Sequence, residues 1–323
     1  MGGDDNVQFV EINGARLAYR IAGPADAPLF ITLHGGRGMG DHRSDFKAYS
    51  PLSVGDAASS GGGCYRVLSF DYRGHGRSSA TRPYTFSQIV DDVEGIRAHF
   101  TNKEREKVVI CGGSFGGFLA LHYAIRYADR VRHLVLRGTA ASWHQEEDAI
   151  KVLEQRLDRA PSFSVRMLRD KVFGRFASDL EFRLVHLAML PLYSEAFDAD
   201  QALQSCLGNV YNAEAHNDLY SDSEKYFDYR DQLSRITAKT LVIVGDKDWI
   251  CPPGLSHSSS TENDAASLSP GGRPLTCEKA ENSEFIASRI PGAALMVVEN
   301  ANHSVHLEKN EEVIARIRGH FET

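Results

Sequence analysis

Apolar residues along the chain fall into two patterns. One is the short run that is apolar on both faces: residues 29–33, 66–71, 107–111, 132–136, 240–244 and 294–298. Helical stretches lie between most of these runs. Strands of this kind alternating with helices predict a parallel sheet covered on both sides. Two further runs, residues 7–12 and 16–21, come first and are separated by Asn13-Gly14. That dipeptide favours the type I′ turn of a β-hairpin.

The second pattern occupies the chain from about Thr139 to Ile236. No strand is evident there, and residues 162–173, 180–193 and 198–207 carry helical spacing. A helical block inserted between two strands predicts a cap, residues 139–236, over a core built from residues 1–138 and 237–323. Residues 257–283 interrupt that core, being rich in Ser, Asn, Pro and Gly with no hydrophobic period. A long structureless stretch inside a compact domain is unusual. This one is expected to be a disordered surface insertion.

Composition narrows the class. With 323 residues, 42% of them hydrophobic and 24% charged, the chain can bury a large core and is neither disordered nor fibrous. A net charge of −7 argues against a nucleic-acid partner, which requires a basic face. The five cysteines are irregularly spaced and form no C-x-x-C pair, so neither a zinc site nor a disulfide framework is expected. No metal or organic cofactor is implied. The first residues, Met-Gly-Gly-Asp-Asp-Asn, are acidic and polar and unlike a signal peptide. No apolar run approaches the ~18 residues of a membrane span. A cytoplasmic protein with no membrane partner is expected.

The candidate chemistry centres on Gly112-Gly113-Ser114-Phe115-Gly116, a G-x-S-x-G sequence that follows one apolar run and opens an apolar helix. The motif requires that context, because a strained strand-to-helix turn holds the serine hydroxyl clear of the backbone. Ser114 is therefore the candidate nucleophile. His34-Gly35-Gly36 follows an earlier strand, where such a turn supplies one N–H to an oxyanion hole. Gly36 and Phe115 are the expected donors, and losing one typically costs ~3 kcal/mol of transition-state stabilisation. His34 itself reads as structural. In this class the acid and then the histidine follow the serine along the chain. Both Asp246 and Asp248 lie just past residues 240–244; Asp248 is favoured because it lies farther into the loop, and Asp246 reads as a turn former. His303 lies in the loop after residues 294–298, while His306 starts toward the last helix. His303 is taken as the general base and His306 as a packing or capping residue.

These residues resemble the proline iminopeptidase-like branch of the α/β-hydrolases. The likeness covers nearly the whole core. It rests on His34-Gly35-Gly36-Arg37-Gly38, close to that branch's H-G-G-P-G, on the run from Phe70 to Ser78, on Gly112 to Gly117, on Leu134 to Gly138, on Gly245 to Pro253, and on Asn302-His303 with Glu308. The resemblance implies the α/β-hydrolase fold, supports Ser114, Asp248 and His303 one by one, and gives Asp71 and Arg73 a structural role in the turn after their strand. Iminopeptidases hold the substrate amine with acidic residues near the cap. Glu214 resembles one such position. Trp249 stands where some members carry a second acid, and both residues are candidate substrate contacts. Arg37 replaces a proline, which is expected to make the oxyanion loop less rigid.

Two enzymatic readings follow: a peptidase that releases N-terminal proline from a short peptide, and an esterase or lactonase acting on a small apolar metabolite. Both use an acyl-enzyme. A non-catalytic ligand receptor on the same fold is the alternative of another class. Epoxide hydrolases and dehalogenases of this fold use Asp where this chain has Ser114.

Overall fold

The computed structural model describes residues 6–55, 64–101, 106–253 and 282–322. Eight strands form one sheet: β1 Gln8–Ile12, β2 Ala15–Ala22, β3 Leu29–Leu33, β4 Arg66–Phe70, β5 Val108–Gly113, β6 Val131–Arg137, β7 Lys239–Gly245 and β8 Ala294–Val298. Their order is β1-β2-β4-β3-β5-β6-β7-β8. Pairing is antiparallel for β1–β2 and β2–β4 and parallel for the rest. Every apolar run of the sequence therefore falls on a strand. β3 is buried at all of its residues, as expected of a strand covered on both faces. The first two strands turn at Asn13 and Gly14, both with positive φ (48° and 76°), as a type I′ turn requires.

The parallel strands point the same way, so the loops at their C-terminal ends gather at one edge. His34 follows β3, Ser114 follows β5, Gly138 follows β6, Asp248 follows β7 and His303 follows β8. A crevice beyond the carboxyl ends of such strands is where open α/β sheets bind ligands.

Between β6 and β7 the described residues form helices and isolated bridges but no strand. The helices include Gln145–Glu154, Asp179–Met189, Ala199–Gly208 and Ala213–Leu219. The periodicity of residues 162–173 resolves into a short helix, Val165–Met167, continued by a π-helical turn, Leu168–Val172. Gln145–Glu154 and Ala213–Leu219 escape a reading by hydrophobic spacing. The first opens on Glu146, Glu147 and Asp148 and buries only Ala149 and Leu153 among its apolar residues. The helical block has its own apolar cluster, containing Leu153, Phe173, Phe182 and Leu192. That cluster reaches Trp249, Ile250 and Cys251 in the loop after β7.

The expected insertion at 257–283 lies outside the described residues except at its end. There Ser283 is buried and begins the helix Ser283–Arg289.

Beneath the sheet edge, Arg73 and Asp92 form a fully buried pair: the guanidinium Nε and Nη2 donate to the two carboxylate oxygens at 2.6 and 2.8 Å. Asn13 Nδ2 and Gln88 Nε2 complete the acid's bonding at 3.1 and 3.2 Å. Removing one partner strands the other's charge in a dry site. Asp92→Ala should therefore lower stability by about 3–5 kcal/mol, measured as a lower urea midpoint at unchanged m-value.

Candidate active site

Ser114 lies between β5 and the helix Phe115–Arg126 with φ 53° and ψ −121°. Its neighbours make this turn possible. A Cβ on Gly116 would collide with the carbonyls of Leu33 and His34, and one on Gly112 with the Gly116 backbone. The turn is tied down by Ser114 N–H donating to Arg137 O at 2.9 Å and by Thr139 Oγ1 donating to Ser114 O at 2.9 Å.

His303 Nδ1 lies 2.8 Å from Asp248 Oδ2, and the acid is 2% exposed. The other oxygen, Oδ1, accepts from the N–H groups of Ile250 and Cys251 at 3.1 and 2.9 Å. With Nδ1 engaged, Nε2 is the ring nitrogen left for a hydroxyl. Gly138 makes room for this pair, since a Cβ there would stand 2.8 Å from Asp248 Oδ2. The two aspartates thus have different tasks. Asp246 accepts from Ala301 N–H at 3.2 Å and pairs with Lys247 at 3.0 Å, bracing the loop from outside. His306 is buried against Tyr49, with rings 6.1 Å apart, and no hydrogen-bond partner is found for either ring nitrogen. Burial pushes it well below the ordinary histidine pKa, as suits a packing residue.

The loop from His34 passes directly beside the serine, with a Cβ on Gly35 falling 3.2 Å from Ser114 Cβ. Gly36 takes φ 89°. Phe115 is the first residue of the helix, so its N–H is one that no intrahelical carbonyl can satisfy. His34 stacks on Tyr72 at 4.1 Å, and Tyr72 Oη donates to His34 O at 2.9 Å. Asp71 Oδ1 accepts from His42 N–H at 2.7 Å and Oδ2 from Arg77 N–H at 2.8 Å, which shapes the turn after β4.

Ser114, Gly36, Phe115 and His303 line a single cavity of about 450 Å³ that opens between the sheet edge and the helical block. Phe118, Phe173, Phe182, Tyr193 and Tyr220 form much of its wall. Its carboxylates, among the described residues, are Asp41 and Asp45. Each is already paired, with Arg43 at 2.7 Å and Arg137 at 3.2 Å.

The two expected substrate contacts are not in this cavity. Glu214 sits on the outer face of its helix, 60% exposed at the side chain, and binds Arg82. Helix Ala213–Leu219 turns Ala215 and His216 inward instead. Trp249 is fully buried with its ring edge-on to Tyr193 at 5.3 Å, while its neighbours Ile250 and Cys251 reach the cavity wall. Arg37 is the residue whose importance the sequence pattern conceals. It is 6% exposed, and its guanidinium carbon stands 4.0 Å over the Tyr220 ring. Its replacement of a proline was the visible signal, but the aromatic rings around it come from distant parts of the chain.

Fold and site together define a hydrolase that works through a serine. A family model described as alpha/beta hydrolase fold matches residues 28–262, and the chain belongs to that family. It is 64% identical to the proline iminopeptidase PfmaB of Pestalotiopsis fici, over 98% of this chain and 99% of that one. It is 26% identical to a pimeloyl-[acyl-carrier protein] methyl ester esterase of Neisseria meningitidis, over 79% of this chain and 82% of that one. The solved meta-cleavage product hydrolase of Pseudomonas fluorescens superposes with a TM-score of 0.68 at 19% identity, covering 98% of this chain and 97% of the other. No helix among the described residues is long and apolar enough to cross a membrane.

Two histidines brace the loop after β3 in neutral form. His75 Nε2 accepts from Gly38 N–H at 2.7 Å while its Nδ1 faces Arg73 O at 3.0 Å. His216 Nδ1 faces Arg37 O at 3.1 Å. Burial pushes both down to about 3. Their folded pKa lies below the unfolded value of about 6.5, so their stabilisation is complete above that pH and is lost as pH falls toward 3. Each should contribute a slope of up to about 1.4 kcal/mol per pH unit in that window. Urea unfolding at pH 6.5 and 4.5 should show it, and at pH 4.5 His216→Phe should reduce proton uptake on unfolding by about one.

Proposed function

We propose that Ser114, His303 and Asp248 form the catalytic triad of this serine hydrolase. Ser114 Oγ attacks the carbonyl carbon of the substrate as His303 Nε2 takes the hydroxyl proton. The N–H groups of Gly36 and Phe115 receive the charge that develops on the carbonyl oxygen. His303 then protonates the departing alcohol or amine, leaving an acyl-enzyme. Water, deprotonated by the same nitrogen, releases the acid and restores Ser114. Asp248 keeps the imidazole in the tautomer with Nδ1–H and stabilises the imidazolium. In the same reading residues 139–236 are a cap that closes the cavity over a core of residues 1–138 and 237–323.

The substrate that fits best is a small ester or lactone with an apolar acyl part. The observation that carries this is the pairing of both cavity carboxylates, Asp41 and Asp45, with arginines. A substrate ammonium would find no spare counter-charge, and a desolvated charge without one is strongly disfavoured. A second reading, release of N-terminal proline, is favoured by the 64% identity to PfmaB.

Short p-nitrophenyl esters and small lactones compared with proline p-nitroanilide separate the two. We expect the higher kcat/KM on the esters, and efficient proline release would overturn that preference. Glu214→Gln should change kcat/KM less than twofold on any of these substrates, because surface ion pairs are worth little and this one faces away from the cavity.

Ser114→Ala should abolish fluorophosphonate labelling and cut turnover on the order of 10⁶-fold. Asp248→Asn should cost about 10⁴-fold, and Asp246→Asn far less. A reversal of the last two would reassign the acid.

A further inference from the structure

The oxyanion loop is fastened to the helical block at three points. In the first, Met39 bridges to Tyr211 through Asn212 N–H, which donates to Gly38 O at 2.7 Å. His216 Nδ1 faces Arg37 O at 3.1 Å. The last point is a side chain: Arg37 Nη1 donates to Leu219 O at 3.2 Å. All of these partners fall between Tyr211 and Leu219, so one stretch of the block holds the whole loop.

The Arg37 guanidinium is caged by rings from both layers. Beyond Tyr220, its carbon lies 5.2 Å from the centre of Phe86, 5.4 Å from Phe118, 5.6 Å from Phe227 and 5.7 Å from Phe115. Phe115 is the residue whose N–H would be one oxyanion donor, and Arg37 directly follows Gly36, which would supply the other. One buried cation therefore spans both donors and the block. Its Nη2 has no hydrogen-bond partner. The carboxyls of Glu146 and Glu224 are both raised by burial; Lys225 pairs with the first at 3.4 Å and the Phe86 N–H donates to the second at 2.6 Å, so neither makes a direct ion pair with Arg37.

A buried guanidinium with a single hydrogen bond is a costly way to fill space, and an apolar side chain would pack there without the desolvation penalty. What the guanidinium adds is a fixed reach to Leu219 O and a flat face for stacking. We propose that Arg37 is a positioning residue: it locks the oxyanion loop to the helical block, so that the block's placement sets the geometry of the Gly36 and Phe115 donors. This rests on the oxyanion roles given above. The loop is thus held by a side chain that reaches across to Leu219 O.

The test uses p-nitrophenyl acetate and a fluorophosphonate with the full chain. Arg37→Ala should lower kcat about 10²-fold, the scale of one misplaced oxyanion donor, with KM within about twofold. The rate of phosphonylation should fall in parallel, and the pH profile of kcat/KM should keep its shape. Methylguanidinium should restore part of kcat, and methylammonium should not. Arg37→Lys, which retains charge without the planar fork, should fall between wild type and Arg37→Ala.

A raised KM at unchanged kcat would mean that Arg37 binds substrate, and would overturn the proposal. A lower melting temperature with unchanged kcat per folded molecule would make Arg37 merely structural, and would overturn it too. Should Arg37→Ala fail to fold, Tyr220→Leu removes the stacking face from the block side and should lower kcat in the same way; no change in kcat would count against the latch. If wild type is neither labelled nor active, the hydrolase reading fails instead. Amide exchange at residues 35–40 then decides the latch alone: Arg37→Lys should speed it, and unchanged exchange refutes it.

Discussion

Ser114 occupies a backbone conformation, φ 53° and ψ −121°, that costs on the order of 1–3 kcal/mol for a residue with a side chain. The rest of the molecule is arranged so that this residue has no easier choice. β5 and the helix that follows it are packed against β3 so closely that Gly112 and Gly116 must lack side chains. The serine N–H is held by the end of β6, and its carbonyl by Thr139 just beyond. Relaxing the turn would mean parting the helix from the central strands, which carry much of the apolar core. Because the strain is spread over that core, the hydroxyl is presented by packing and not by a flexible loop.

The same constraint explains why so much could be read from the sequence. A strand buried on both faces has to be apolar throughout, so residues 29–33 and 240–244 declare themselves. A turn at φ above zero needs Asn-Gly, and the chain has it at residues 13 and 14. A backbone pressed against another backbone needs glycine, which marks the serine turn. The choice of Asp248 over Asp246 rested on loop reach. In the structure the carboxylate of Asp248 meets His303, while that of Asp246 braces Ala301 and Lys247.

What was not legible depends on which way a side chain turns. Glu214 lies on a short helix whose buried face is made by Ala215, His216 and Leu219. One residue of rotation carries it to the surface beside Arg82. Trp249 is buried, but it fills the junction between the helical block and the loop after β7 and not the cavity. Arg37 looked like a loss of rigidity because a proline acts within its own loop. An arginine can act across a gap, and its partners Phe86, Phe118, Tyr220 and Phe227 are scattered along the chain. No local pattern marks that convergence.

Chemistry and specificity are therefore recorded differently in this chain. The proposed acyl-transfer machinery relies on backbone N–H groups, strand ends and glycines, which fold constraints keep in register even where side chains change. Recognition relies on the side chains that face into about 450 Å³ of space. There the charged groups are arginines and the two aspartates they already hold, and the remaining wall is largely aromatic. Such a wall rewards apolar contact and tolerates a neutral polar group, whereas an ammonium must bring or find a counter-ion. Family membership consequently speaks with more force about how a bond is broken here than about which molecule carries it.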